Sequence, residues 1–167
     1  MGKPKILVLG HGQHGKDTVG DILAYRLGFR FLSSSLFAAE KLILPHFESI
    51  GQPYASLEAC YADRVNHRAL WYDLISAYNT PEKDSLCREI VSEYDMYVGM
   101  RCPEEYAASK KHFDYILWVD ASGRGVPPEP RSSMGISYVP GEMIYIPNNG
   151  SVGDLEDLVV DWGRRTF

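Results

Sequence analysis

Residues 10–18 read GHGQHGKDT and lie between a short apolar run and a segment with helical periodicity. The run KILVL at 5–9 is typical of a strand that is buried on both faces of a parallel sheet. Residues 16–28 repeat apolar side chains at helical spacing and end in a glycine suited to a helix C-cap. Strand, glycine-rich turn and helix in this order predict a backbone that is bent to receive an anion.

The spacing Gly10-x-x-x-x-Gly15-Lys16 is that of a phosphate-binding P-loop. Glycine lets main-chain N–H groups converge on phosphate oxygens, because no Cβ stands in the way. The following helix directs the positive end of its dipole at the same anion, and Lys16 reaches the outer phosphates. The residues predicted to bind the nucleotide are Gly10, His11, Gly12, Gln13, His14, Gly15, Lys16, Asp17 and Thr18.

Asp17 stands where the P-loop pattern carries the serine or threonine that binds Mg²⁺. Mg²⁺ prefers oxygen ligands, so Asp17 suits a metal site. The sequence leaves open two other roles, as a base toward an attacking hydroxyl and as an acid favoured in a first helical turn. Thr18 is predicted to donate its hydroxyl to the inner phosphates. Asp120, at the end of the apolar segment 115–120, is the second candidate metal ligand.

The composition is that of one soluble domain covering residues 1–167. Hydrophobic residues make up 45% and charged residues 23% of the chain. The formal net charge of −5 argues against a protein that holds nucleic acid mainly by charge. The three cysteines follow no zinc spacing and are expected to be reduced thiols of a cytoplasmic protein. We expect no signal peptide and no membrane segment.

The rest of the chain alternates short apolar runs with helical patterns, which indicates an α/β fold. Further strands are predicted at 29–32, 95–100, 115–120 and 143–148, and further helices at 33–47, 56–79, 80–94, 102–112 and 151–165. Pro45 is expected to end or bend its helix, and Thr80 with Pro81 to begin another. Together these elements predict a three-layer fold with about five parallel strands and helices on both faces of the sheet. Residues 121–135, rich in glycine and proline, are predicted to form a loop or lid.

Phosphoryl transfer requires an acceptor held in line with the donor phosphate, with positive charge nearby. Arg101 follows a predicted strand at the edge where open α/β sheets bind ligands, so we assign it to the acceptor's anion. Glu104 or Glu105 is a candidate for orienting Arg101. Solvent-exposed salt bridging explains an arginine at this position as well.

A second group of candidates lies within the predicted acceptor-binding region, at about 33–79. Arg64, Arg68 and Trp71 share one face if 56–79 is a continuous helix, which suits a phosphate beside a stacked base. A half-buried helix with its aromatics inside and its arginines outside explains the same spacing. Ser35 is a candidate for acceptor contact, although serines there also suit helix capping.

GHGQHGKDT looks like the P-loop of nucleoside-monophosphate kinases, specifically the GKDT variant of phage-type deoxynucleoside monophosphate kinases. In chain order, FLSSSLFAAEKL, YVGMRCPEE, DASGRGVPPEPRSS and MIYIPNNGSVGDL resemble later segments of that family. The resemblance implies a P-loop NTPase fold, ATP and Mg²⁺ as cofactors, and an arginine-bearing lid at about 121–135. It also implies a virus-encoded protein that acts in the host cytoplasm.

The same resemblance implies roles for three further residues. Arg124 and Arg131 would close with the lid over ATP and touch the transferring oxygens, and Asn149 would flank the adenine. Family members often carry an acid at the end of the third strand, whereas residues 98–101 contain no carboxylate. This departure places more weight on Asp17 as the metal ligand.

The leading hypothesis is a kinase that transfers the γ-phosphoryl group of ATP to a nucleotide-type acceptor, most simply a deoxynucleoside monophosphate. A phage kinase acting on 5-hydroxymethyluracil in DNA is the alternative within the same fold, and an enzyme similar to dephospho-coenzyme A kinase is a third. A nucleotide-dependent switch is the hypothesis from another class, but the chain has no guanine-reading NKxD stretch. The sequence leaves open the acceptor's base, a DNA acceptor and a homodimer.

Overall fold

The computed structural model describes residues 2–167 and is built on a sheet of four parallel strands. The strands are β1 (Ile6–Leu9), β2 (Met96–Val98), β3 (Tyr115–Asp120) and β4 (Ile144–Pro147). Their order across the sheet is β2-β1-β3-β4, and Val8 of β1 stands in register with Val98 and Leu117. The expectation of about five strands is therefore corrected to four among the described residues.

Helices cover both faces of this sheet, as the alternation of the sequence predicts. They are α1 (Lys16–Leu27), α2 (Ser34–Ala38), α3 (Leu44–Ser49), α4 (Leu57–Ala62), α5 (Arg68–Tyr78), α6 (Ser85–Glu93), α7 (Pro103–Ser109) and α8 (Val152–Thr166). Ile6 and Val8 of β1 pack into one core cluster with residues of α1 and α8. Leu7 and Leu9 point the other way, into a cluster with residues of α2 and α6. The period of two along β1 thus divides the core into two layers.

The predicted strand at 29–32 does not form. Gly28 ends α1 in the left-handed conformation, with φ 69°, and Phe31 then makes a single bridge to Met96. Two residues later the Ser33 side chain accepts a hydrogen bond from the Leu36 N–H and caps α2. The chain leaves the sheet edge after one pairing because the next helix begins at once.

The predicted helix at 56–79 is divided into α4, a 3₁₀ turn at Asp63–Asn66 and α5. The Asp63 carboxylate accepts hydrogen bonds from Tyr54 at 2.6 Å, Asn66 at 2.6 Å and His67 at 3.0 Å. These local bonds compete with helical geometry, since a short acidic side chain stabilises turns. The break separates Arg64 from α5.

Two other helix boundaries differ from the prediction. Pro45 does not end its helix, because a π-helical turn at Ala39–Ile43 precedes it and the chain stays helical to Ser49. Thr80 and Pro81 lie in a turn, and α6 begins at Ser85 after the N-cap residue Asp84.

The strand order locates the ligand-binding edge of the sheet. β1 connects to β2 on one side, whereas β3 connects to β4 on the other side. Ligands of open α/β sheets bind at the carboxyl ends of the strands where the connections diverge in this way. Here that point lies between the ends of β1 and β3. Among residues 2–167, no helix is both long and apolar enough to cross a membrane.

Candidate functional site

Residues 10–18 form a tight loop from β1 into α1, as predicted. Gly10, Gln13 and Gly15 have positive φ angles of 150°, 64° and 102°. A Cβ added to Gly10 would lie 2.5 Å from the carbonyl oxygen of Val119 on β3. The first glycine is therefore required both by its backbone angle and by the close approach of the neighbouring strand.

Lys16 begins α1 and folds back over this loop. Its Nζ donates a hydrogen bond to the carbonyl oxygen of His11 at 2.9 Å. Burial lowers the pKa of the Lys16 ammonium, and the Arg101 guanidinium lowers it further. The loop thus holds a partly desolvated cation next to converging amides, which favours binding of an anion.

Two loop histidines hold the following segment against the P-loop. His14 is fully buried, and its Nδ1 accepts a hydrogen bond from the Ala121 N–H at 2.9 Å. Its Nε2 therefore carries the hydrogen and donates to the Pro127 carbonyl at 3.1 Å. The 3.4 Å approach of Nδ1 to Asp120 is then no ion pair, because Nδ1 already accepts a hydrogen bond. His11 Nδ1 accepts from the Glu129 N–H at 3.0 Å.

These contacts place residues 121–135, the lid loop, directly over the P-loop. The Glu129 carboxylate accepts a hydrogen bond from the Gly12 N–H and pairs with the Arg101 guanidinium. Burial opposes ionisation of Glu129, but the bonds from Arg101 and Gly12 outweigh it and lower its pKa. Arg101 is thus oriented by Glu129, whereas Glu105 binds Tyr97 and Glu104 contacts Cys102.

The two lid arginines differ in their attachment. Arg124 Nε donates to the carbonyl of Asn148 at 2.7 Å, and Asn148 Nδ2 donates to the carbonyl of His14 at 2.9 Å. Arg131 is exposed. Asn149 lies against Gly123, where an added Cβ would collide with its amide. Arg124 and Asn149 therefore both lie beside the P-loop, at the junction of the lid loop and β4.

The candidate metal ligands differ in how free they are. Asp17 is exposed in the first turn of α1. Asp120 is engaged by the Tyr145 hydroxyl and by the N–H and hydroxyl of Ser122. Within residues 2–167 no group of three or more His, Cys, Asp and Glu side chains could hold a metal. Mg²⁺ at this site would take most of its ligands from phosphates and water, as this ion commonly does in proteins.

A cavity of ≈ 180 Å³ opens beside Arg101, which we call the Arg101 cavity. Its polar and aromatic walls include Ser35, Tyr72, Lys83, Tyr97, Arg101 and Glu105. Glu105 is 6% exposed and accepts a hydrogen bond from the Tyr97 hydroxyl at 2.7 Å. Burial raises the pKa of Glu105 to about 7. A larger, open depression of ≈ 540 Å³ lies beside Lys111 and Asp114, before β3.

The structure does not bring the other predicted acceptor residues to this cavity. Trp71 is 7% exposed and packs in a third core cluster with Phe47 and Cys60, so it has a packing role. The Arg64 guanidinium lies 4.0 Å from the centre of the Tyr61 ring. Arg68 begins α5 and is exposed. Because the helix is broken, Arg64, Arg68 and Trp71 do not form the single face that the sequence predicted.

Sequence reasoning missed Glu129, Lys83 and Tyr97. Glu129 is the one acid in the lid loop, and its position between prolines was the available signal. Lys83 lies in a turn that was assigned to a helix, and Tyr97 reads simply as an apolar strand residue. Their contacts depend on long-range packing that local patterns do not encode.

No protein-family model and no curated protein matches this chain. Solved structures do match. A gluconokinase from Sinorhizobium meliloti 1021 is 12% identical, covers 97% of this chain and 92% of its own, and has a TM-score of 0.53. An unliganded sugar kinase from Janibacter sp. HTCC2649 is 14% identical, covers 99% of this chain and 96% of its own, and has a TM-score of 0.50. TT1252 from Thermus thermophilus is 17% identical, covers 99% of this chain and 100% of its own, and has a TM-score of 0.55. The likeness shows that this chain shares the fold of these proteins.

Proposed function

We propose that the protein is an ATP- and Mg²⁺-dependent kinase that phosphorylates a small acceptor bound in the Arg101 cavity. The observation that carries the proposal is the position of Arg101. Its guanidinium pairs with Glu129 over the P-loop, and the same residue lines the cavity. A phosphoryl group moving from one site to the other would pass this cation, which suits the negative charge of the transferring oxygens.

On the donor side, the P-loop amides and Lys16 would hold the β- and γ-phosphates of ATP. Lys16 now donates to the His11 carbonyl and needs only to exchange that acceptor for a phosphate oxygen. Asp17 would hold Mg²⁺ and Thr18 would donate to the inner phosphates. The bound metal neutralises charge on the β- and γ-oxygens. The lid loop would exclude water that competes with the acceptor.

On the acceptor side, we propose a nucleotide-type molecule, most simply a deoxynucleoside monophosphate. Arg101 and Lys83 supply cations for its phosphate, and Tyr72 offers an exposed aromatic ring on which a base can stack. Glu105, buried and close to half-protonated near neutral pH, can accept from or donate to the base edge. Arg64 and Arg68 are not among the residues that line this cavity.

A sugar acid is the second candidate acceptor. One of the structures of similar fold is described as a gluconokinase, and the cavity of ≈ 180 Å³ is small. A carboxylate would pair with Arg101 and a hydroxyl would bind Glu105, since both residues line the cavity. Dephospho-coenzyme A, 5-hydroxymethyluracil in DNA and a switch without an acceptor are further alternatives.

The test measures ADP formation from ATP and Mg²⁺ with each acceptor in turn. The panel contains the deoxynucleoside monophosphates, gluconate, dephospho-coenzyme A and DNA that carries 5-hydroxymethyluracil. We expect ADP formation that depends on a deoxynucleoside monophosphate, and we expect Arg101→Ala to lower kcat/KM for that acceptor. ADP formation that no acceptor stimulates would indicate a switch, and stimulation by gluconate alone would replace the nucleotide with a sugar acid.

A further inference from the structure

Glu129 makes contacts that belong to a phosphate in a P-loop. One carboxylate oxygen accepts the Gly12 N–H, and the other pairs with the Arg101 guanidinium. The Lys16 ammonium is close enough that its charge contributes to the lowered pKa of Glu129. A main-chain amide and two cations around one anion form the donor set that a P-loop offers to a terminal phosphate.

The backbone around Glu129 holds this carboxylate in place. The Glu129 N–H donates to His11 Nδ1 at 3.0 Å, and the Pro127 carbonyl accepts from His14. Burial lowers the pKa of His11, which keeps Nδ1 available as an acceptor. Pro128 and Pro130 flank Glu129 and reduce the freedom of the segment. The lid loop is thus fixed on the P-loop through both histidines.

Gly12 fits the same arrangement. A Cβ added to Gly12 would lie 2.8 Å from Oε1 of Glu129, so any larger residue would push the carboxylate away. Glycine at this position is not demanded by a positive φ angle. The contact with the lid carboxylate is what a larger residue at position 12 would disturb.

We propose that Glu129 is an internal anion that occupies the terminal-phosphate position of the P-loop when nucleotide is absent. This inference rests on the proposed function, namely that the P-loop binds a triphosphate. ATP displaces the carboxylate because its phosphates carry more charge and engage more loop amides. While Glu129 occupies this position, the loop cannot bind a phosphate ligand. The apparent affinity for every phosphate ligand is therefore the intrinsic affinity multiplied by the fraction of molecules in which Glu129 is released. Displacement of the carboxylate also leaves Arg101 free to contact the incoming phosphate.

The test is titration calorimetry of ATP with Mg²⁺, and of inorganic tripolyphosphate, against the wild type, Glu129→Ala and Glu129→Gln. Glu129→Ala is expected to bind both ligands at least about 10-fold more tightly, because a charge-assisted competitor is removed. Glu129→Gln keeps a neutral acceptor and is expected to bind with intermediate affinity. The control is Glu142→Ala, which removes a carboxylate that contacts Tyr106 and Lys110, away from the P-loop. The affinity of Glu142→Ala for both ligands should equal that of the wild type.

Two results would overturn the inference and leave the proposed function standing. Equal affinity of all four proteins would mean that Glu129 does not compete. Weaker binding by Glu129→Ala would make Glu129 part of the nucleotide site. If neither ligand binds any of the four proteins while all show cooperative unfolding, the proposed function fails together with the inference. Glu129→Gln keeps the shape of the side chain and serves if Glu129→Ala does not fold.

Discussion

The buried Glu105 gives a stability prediction with a defined pH dependence. Its pKa is about 7 in the folded protein against an ordinary value of 4.5, because burial disfavours the charged form. Between these values the folded chain keeps a proton that the unfolded chain has lost. Folding stability therefore falls as pH rises from 4.5 toward 7 and is level above the folded pKa. Glu105→Gln removes this fall and can still accept from the Tyr97 hydroxyl.

The expected difference follows from the size of the shift. The free energy of unfolding of Glu105→Gln, relative to the wild type, should rise by about 2–3 kcal/mol between pH 5 and pH 8. In a chain of this size that corresponds to roughly 4–12 °C in Tm. Subtracting the free energy of unfolding of the wild type from that of Glu105→Gln cancels the titration of all other groups that the two proteins share. Urea unfolding followed by tryptophan fluorescence at four pH values measures it.

Glu104→Gln is the matched control at the neighbouring position. The pKa of Glu104 is lowered through its contact with Cys102, so its carboxyl is mostly ionised in both states at pH 5 and almost fully ionised at higher pH. Its difference from the wild type should therefore be level over the same range. A level difference for Glu105→Gln as well would refute the assignment of a protonated, buried carboxyl in the Arg101 cavity.

Two further predictions concern the P-loop. His14→Phe keeps an aromatic ring but loses the bond to the Pro127 carbonyl and leaves the buried Ala121 N–H without an acceptor, so it should lose about 2–4 kcal/mol of unfolding free energy. His11→Phe loses one partly exposed hydrogen bond and should lose less than about 1 kcal/mol of unfolding free energy. Urea unfolding measures both variants. Equal losses for His11→Phe and His14→Phe would show that burial of the bond does not matter. Lys16→Met should lower kcat by about 10²–10³-fold while the circular dichroism spectrum stays unchanged. A kcat within a few-fold of wild type would remove Lys16 from the reaction.

The P-loop could be predicted because its information is local. Strand, positive φ glycines and helix follow one another within residues 6–27, and every step has a sequence signal. The same holds for α8, where Ser151 and Asp154 form a capping box. The edge position of Arg101 was also predictable, since it follows β2.

The contacts between the P-loop and the lid loop could not be predicted. Gly12 and Glu129 are 117 residues apart in the chain, and no periodic pattern links them. The sequence predicted that His11 and His14 bind the nucleotide and gave no sign of their partners, which are backbone groups of the lid loop. The prediction of one continuous helix at 56–79 failed for a different reason. Asp63 binds three side chains, one of which, Tyr54, lies before the helix.

We infer that the main-chain amides of residues 12–18 bind the phosphates of ATP. A ¹⁵N NMR titration of the wild type with ATP and Mg²⁺ tests it most directly. The amides of these residues should shift together and saturate at one Kd, and the Glu129 amide should shift with them as its carboxylate is displaced. Lys16→Met should weaken or abolish the shifts. Shifts confined to other parts of the chain, or none at millimolar ATP, would contradict the account.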